Sequence, residues 1–278
     1  MPPIKIQGIK TKLIPFIQST VDFSADGDFS AEGRWIEPFL GSGVVAFNIA
    51  PSRAILADKN QHLINFYQGI QNKTITPVTV REFLEFHGAK LAKSGQDYYL
   101  HMREVFNENH DPMHFLFLNR SDFNGVIRFN KSGKFNVPFC HKPERFAKAY
   151  VTKICNQVGA VAAVMEGKDW TFLHQDWQAT MAMANSQDHI YLDPPYIGRD
   201  TSYVGEWPEE EAIALADAAH QTSARVCLSH WKENKFRRNE HLFDHWADFH
   251  WHEQSHFYHL GAKENNRHAI VEVLATNY

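Results

Sequence analysis

The stretch His189-Ile190-Tyr191-Leu192-Asp193-Pro194-Pro195-Tyr196 constrains this chain more than any other. Its β-branched and aromatic run reads as a buried strand, and two prolines end it, because proline has no amide hydrogen and a fixed φ. Open α/β sheets keep their ligands at that carboxyl end. There Asp193 offers two acceptor oxygens, Pro194 a carbonyl on a chain that cannot swing away, and Tyr196 a flat ring. The complement of this set is a planar ring bearing an amine with two hydrogens to give, as in adenine or cytosine. Two fixed acceptors favour a tetrahedral nitrogen, localise its lone pair and stabilise the transition state more than the flat ground state. The same four residues are also ordinary turn chemistry, so the rest of the chain decides between the two readings.

With 278 residues, the chain can bury a full core and hold a smaller inserted domain. Cys140, Cys155 and Cys227 lie far apart, with neither a disulfide framework nor a cysteine-based zinc spacing. No stretch approaches the length of a membrane span, and a cytoplasmic protein is expected. The net charge of −4 argues against a nucleic-acid partner only as a total. Lys5, Lys10 and Lys12 precede any acid, and residues 120–148 carry seven Lys/Arg against Asp122 and Glu144. A local basic face is what phosphates require.

Taken in order, Trp35 to Phe39 reads as a strand, Gly41-Ser42-Gly43 as a turn, Val44 to Ile49 as a helix, and Arg53 to Ala57 as a strand ending at Asp58. Small residues let a ligand approach the backbone, and an acid at the end of the second strand is placed to accept from a ribose. Gly41-x-Gly43-x-x-Ala46 also fits the fingerprint of nicotinamide and flavin oxidoreductases, a reading that leaves the Asp193 turn without a role. Residues 60–118 look mostly helical. Asn119 to Phe139 then reads as a hairpin around Ser132-Gly133 with basic side chains near its tip, and a two-stranded ribbon fits the major groove, where arginine pairs with guanine.

A helix is expected from about Phe146 to Met165 and a strand over Trp170 to Leu173, closing on Asp176 and Trp177. Asp176 either accepts from an adenine amine, with Trp177 against the ring, or simply caps the next helix. Arg199 to Trp207 reads as a loop and Pro208 as a helix start; Val226 to Ser229 is a strand, and Phe249 to Tyr258 with Ala269 to Ala275 a closing antiparallel pair. His241/His245 and His252/His256 have helical spacing, but no matching acid or cysteine cluster, so no metal is expected.

These residues resemble the alpha group of DNA adenine-N6 methyltransferases, the family of the bacterial and phage Dam enzymes. The resemblance covers nearly the whole chain and rests on Asp193-Pro194-Pro195-Tyr196 and on Asn119-Arg120…Asn124-Gly125…Arg128…Asn130…Gly133…Phe135-Asn136-Val137-Pro138-Phe139. It implies an α/β fold: a Rossmann-like sheet, mostly parallel with an antiparallel closing strand, and an inserted, mainly helical target-recognition domain bearing the hairpin. Residues 1–60 and 148–278 would form the catalytic domain and 61–147 the insert. S-adenosylmethionine is implied as methyl donor, held by Gly8, Lys10, Phe39, Gly41, Ser42, Gly43, Asp58, Asp176, Trp177 and Asp193. Asp193, Pro194, Pro195 and Tyr196 would be catalytic. Arg120, Asn124, Val126, Arg128, Lys131, Lys134, Asn136 and Pro138 would contact DNA, with Arg128 the guanine reader. Ser229-His230 resembles the short motif after the next strand. The sequence departs from the family pattern at Ile6, where many members have an aromatic, and at Cys140-His141, where a glycine is common.

The expected function is therefore site-specific methylation of a flipped adenine in double-stranded DNA by a monomer. A companion restriction endonuclease is left open. The alternatives are methylation of cytosine N4, RNA or a protein amide, a DNA-binding module without activity, and the oxidoreductase.

Overall fold

The computed structural model describes residues 2–21, 32–197, 207–257 and 269–278. Among these, seven strands form one sheet: β1 (Trp35–Glu37), β2 (Arg53–Asp58), β3 (Asp169–His174), β4 (His189–Leu192), β5 (Arg225–Asn234), β6 (His250–Phe257) and β7 (Ala269–Thr276). Their order is β3-β2-β1-β4-β5-β7-β6. The first five run parallel, and β7 lies antiparallel between β5 and β6. The antiparallel closing pair expected from the sequence is present.

Central strands are apolar on both faces because helices cover both. Every residue of β1 and β4 is buried. Side chains alternate between two layers, as the period of two demands. Trp35, Leu56, Phe172 and Tyr191 face a cluster formed with helices α2 (Val44–Ile49), α3 (Gln61–Gln71), α4 (Pro77–Asn109), α5 (Pro112–Ser121) and α6 (Lys148–Met165), and α1 (Ile14–Thr20) joins the same layer. Ile36, Ile190, Leu192 and Val226 face the other, with α7 (Trp177–Met181), α8 (Glu209–Gln221) and α9 (Glu240–His245). The first cluster continues without a break through α4 and α5 into the hairpin, so residues 61–147 share a core with the sheet.

The structure corrects the sequence in several places. β1 stops at Glu37, two residues before Phe39, because Pro38 has no N–H to continue the ladder. Residues 60–118 are mostly helical as expected, divided into three helices, and α4 itself breaks at Gly95, whose φ of 55° is left-handed. The 119–139 hairpin is no regular ribbon: its arms meet only at isolated bridges, Asp122 with Phe139 and Phe129 with Phe135. Between and beside these bridges its backbone also bonds to side chains of α4. Asn107 brackets Phe135 through both backbone groups (2.7 and 3.1 Å), and Tyr99 donates to the Val137 carbonyl (2.9 Å). His241 and His245 share α9 with rings 4.7 Å apart. Positions 252 and 256 lie on β6, where four residues span about 13 Å. The expected loop from Arg199 lies outside the described residues as far as 206.

Candidate active site

The chain leaves β4 at Leu192 and places Asp193-Pro194-Pro195-Tyr196 at the carboxyl edge of the sheet, on the wall of a cavity of about 610 Å³. Lys10 enters from the N-terminal segment and its Nζ donates to Asp193 Oδ1 at 2.6 Å and to the Gly8 carbonyl at 3.2 Å. Lys10 is buried, whereas Asp193 keeps 23% of its side-chain surface open. Burial alone would discharge Lys10; Asp193, Tyr196 and Glu272 reverse this and raise it above the ordinary lysine range. Burial pushes the Asp193 carboxyl up, and Lys10 pulls it back. The result is a charged pair at the cavity wall. Tyr196 stacks on His230, with ring centres 4.5 Å apart, and Asn239 steadies that imidazole from behind, its Nδ2 lying 2.9 Å from His230 Nδ1.

Opposite this turn, Gly41, Ser42 and Gly43 lead from β1 into α2. The Gly41 amide donates to Asp58 Oδ2 and the Asn60 amide to Asp58 Oδ1, both at 2.8 Å, which fixes the acid at the end of β2 against the turn. Tyr67 donates to the Ser42 carbonyl at 2.6 Å. Gly43 has a φ of 68°, and a Cβ there would lie 2.4 Å from Phe47 Cε2, so only glycine fits. Gly43 shapes the turn without lining the cavity, whereas Gly8, Phe39, Gly41, Ser42 and Asp58 line it. Asp176 lines it and caps α7 through the Ala179 amide (2.9 Å), so the helix cap expected from the sequence is present. Trp177 is held by its Nε1–H to Glu211 Oε2 (2.8 Å), and Phe39 meets Trp207 edge-on at 5.5 Å. Ile6, in place of an aromatic, reaches over the turn to within 3.8 Å of where a Gly41 Cβ would be.

The residues expected to contact DNA divide into two sets. Asn124, Arg128, Lys131, Lys134 and Pro138 are exposed on the hairpin, with Val126 and Asn136 half-buried, while Gly125, Ile127, Phe135 and Val137 point inward. Arg128 is held in place by Asn136, its Nε donating to the side-chain Oδ1 (2.7 Å) and its Nη2 to the carbonyl (3.0 Å). Arg120 is a correction. It is 3% exposed on α5, its guanidinium donates to Gln157 and lies 5.4 Å from the Tyr150 ring centre, and it presents no surface to a partner.

Residues 7–260 match the model of the D12 class N6 adenine-specific DNA methyltransferases. The chain belongs to this family. A type II methyltransferase of Lactococcus lactis subsp. cremoris is 26% identical over all of this chain and 95% of its own. A DNA adenine methylase of Vibrio cholerae is 35% identical over 70% of this chain and 69% of its own. A DNA N-6-adenine-methyltransferase of Escherichia phage P1 is 32% identical over 70% of this chain and 26% of its own. The protein is an adenine-specific DNA methyltransferase, and the nicotinamide reading of the glycine turn falls away.

Family membership implies S-adenosylmethionine as the donor, and this methyltransferase's cavity fits it. A cationic nucleoside suits a pocket with aromatic walls at Phe39, Trp177 and Trp207, acids at Asp58, Asp176 and Asp193, and a glycine turn that keeps the backbone open. No group of metal-binding side chains occurs, and no helix is long and apolar enough to cross a membrane, among the described residues. The sequence reading missed two residues of the site. Glu37 is a buried acid on β1 that accepts from Trp35 Nε1 (2.7 Å), and burial pushes its carboxyl up to about 8. Glu211, in the first turn of α8, orients Trp177. An acid inside an otherwise apolar strand was the signal for the first; the second had none, since its partner lies 34 residues away.

Proposed function

We propose that the protein transfers a methyl group to the N6 amine of an adenine flipped out of double-stranded DNA at a specific site. The observation that carries this reading is that the Asp193-Pro194 turn and the Gly41 turn wall the same cavity. S-adenosylmethionine, when bound, supplies an electrophilic methyl group on a positively charged sulfur. Gly8, Phe39, Gly41, Ser42, Asp58, Asp176 and Trp177 would hold it. Asp193, fixed through Oδ1 by Lys10, accepts one amine hydrogen, and the Pro194 carbonyl accepts the other. The ionised carboxylate stabilises the positive charge that develops on the nitrogen, so catalysis is positioning plus electrostatics. Tyr196, backed by His230, packs on the adenine ring, a contact of about 1–3 kcal/mol. Flipping costs a few kcal/mol, offset by contacts elsewhere on the duplex.

Recognition falls to residues 61–147, with Arg128 reading guanine and Asn124, Val126, Lys131, Lys134, Asn136 and Pro138 beside it. Residues 1–60 and 148–278 form the donor-binding and catalytic part. The type II naming of the Lactococcus relative supports a cognate restriction endonuclease as companion. The test is to methylate random-sequence DNA, digest it to nucleosides and map the modified positions. N6-methyladenine at one short sequence is expected; N4-methylcytosine, or modification of RNA alone, would overturn the reading.

A further inference from the structure

β5 does not stop level with the catalytic turn. Arg225 to Leu228 pair with His189 to Leu192, which puts Ser229 and His230 beside Asp193 and Pro194, yet the strand runs on to Asn234. At about 3.3 Å per residue, the stretch from His230 to Asn234 carries the chain roughly 13 Å past that level. β7 supports it there as far as the pairing of Asn234 with Ile270. The chain then reverses in a fixed turn. The Asn234 amide donates to the Arg237 carbonyl (2.9 Å), Asn234 Oδ1 accepts from the Phe236 and Arg237 amides (2.9 and 3.2 Å), and Glu233 bridges to Arg238. The guanidinium of Arg237 lies 5.0 Å from the Trp231 ring centre, and that of Arg238 lies 3.2 Å from the centre of Phe243.

At the tip, Phe236 is 70% exposed, the largest value for a large hydrophobic among the described residues, and Lys235 beside it is exposed. A single exposed apolar side chain is common and by itself means nothing. This one stands on a rigid turn among Lys235, Arg237 and Arg238, with Glu233 the one acid of the segment 232–238. Cations around an aromatic ring match phosphates around a base or sugar. β5 carries the tip past the level of Asp193 at the carboxyl edge of the sheet, the edge by which the proposed reading brings a duplex to that residue.

We propose that the β5 tip, Lys235-Phe236-Arg237-Arg238, is a second DNA contact separate from the 119–139 hairpin. Phe236 packs against a nucleotide near the extruded one, and the cations take the adjoining phosphates. The inference rests on the proposed entry of a flipped adenine at Asp193.

The full-length chain is compared with Phe236→Ala, Phe236→Trp and Lys235→Ala. Binding of a fluorescein-labelled random-sequence duplex is followed by anisotropy over a range of salt, alongside binding of S-adenosylmethionine. Phe236→Ala is expected to weaken DNA binding about tenfold with donor binding unchanged. Phe236→Trp restores affinity and adds emission that DNA quenches. Lys235→Ala lowers the slope of log Kd against log salt by about one. Wild-type affinity in Phe236→Ala together with an unchanged slope in Lys235→Ala would overturn the inference, as would a Phe236→Trp emission indifferent to DNA. Wild-type protein that methylates no adenine would instead overturn the parent reading.

Discussion

Lys10 and Asp193, 183 residues apart in the chain, meet at 2.6 Å on the wall of the cavity. The pair does two things at once. It orients the carboxylate proposed to hold the amine, and it offsets part of the cost of burying that carboxylate, whose pKa burial still leaves raised.

Removing the cation separates these effects from substrate binding. Lys10→Ala is expected to lower kcat about 100-fold, the scale of one lost preorganised electrostatic contact. The Asp193 carboxyl, left with burial and no counter-charge, rises further, so the acid limb of the kcat profile moves to higher pH. Steady-state rates across pH check both. Asp193→Ala should abolish transfer while donor binding stays largely intact, measured by calorimetry.

Arg128 is exposed but held by Asn136 on the hairpin, an arrangement suited to reading one base edge. Arg128→Ala is expected to relax the preference at one position of the site by about 1–3 kcal/mol, roughly 5- to 150-fold. Mapping methylated adenines in random DNA gives the answer, and an unaltered pattern would exclude Arg128 as a base reader.

Glu37 makes a prediction about stability. Its folded pKa of about 8 lies above the usual 4.5 of an unfolded glutamate, with burial the main cause. Between those values the folded state holds a proton that the unfolded state has released, so stability falls as pH rises through the window. Glu37→Gln removes this loss. Its melting temperature, measured without donor, should gain on the wild type from pH 5 to pH 8 by several degrees. Asp122, also pushed up to about 8 by burial, leaves a residual slope of the same sign in both proteins.

Arg120 tests the interior assignment. Truncation to alanine leaves a cavity and strips Gln157 of its donor, at a cost of about 2–4 kcal/mol in urea unfolding. The salt dependence of DNA binding should be unchanged, whereas loss of a phosphate contact would flatten it.

How far the sequence could be read depended on whether a residue's partner was local. The strand before Asp193 and the Gly41 turn follow from neighbouring residues, since prolines and glycines act on their own φ. The alternation of the hairpin was legible too, with Ile127, Phe135 and Val137 inward and Arg128 outward. Its attachment to α4 was not, because Asn107 and Tyr99 bind its backbone from 28 and 38 residues upstream. Arg120 misled for a related reason. It sits in a basic cluster by sequence, but all residues from Phe115 to Ser121 are buried, and charge density along a chain says nothing about which way a helix faces. The pairing of His230 with Tyr196, and of Glu211 with Trp177, exists only once separate strands and helices are side by side.

The position of β7 has a consequence for how the protein is made. It slots between two strands synthesised before it, so β6 has no partner on the ribosome until Ala269 onward emerges, and β5 carries a bare edge until then. Such an edge invites pairing with another nascent chain. Translation halted short of residue 269 should therefore yield polypeptide that clumps, even though every residue assigned above to the donor, the adenine or the DNA has already been made.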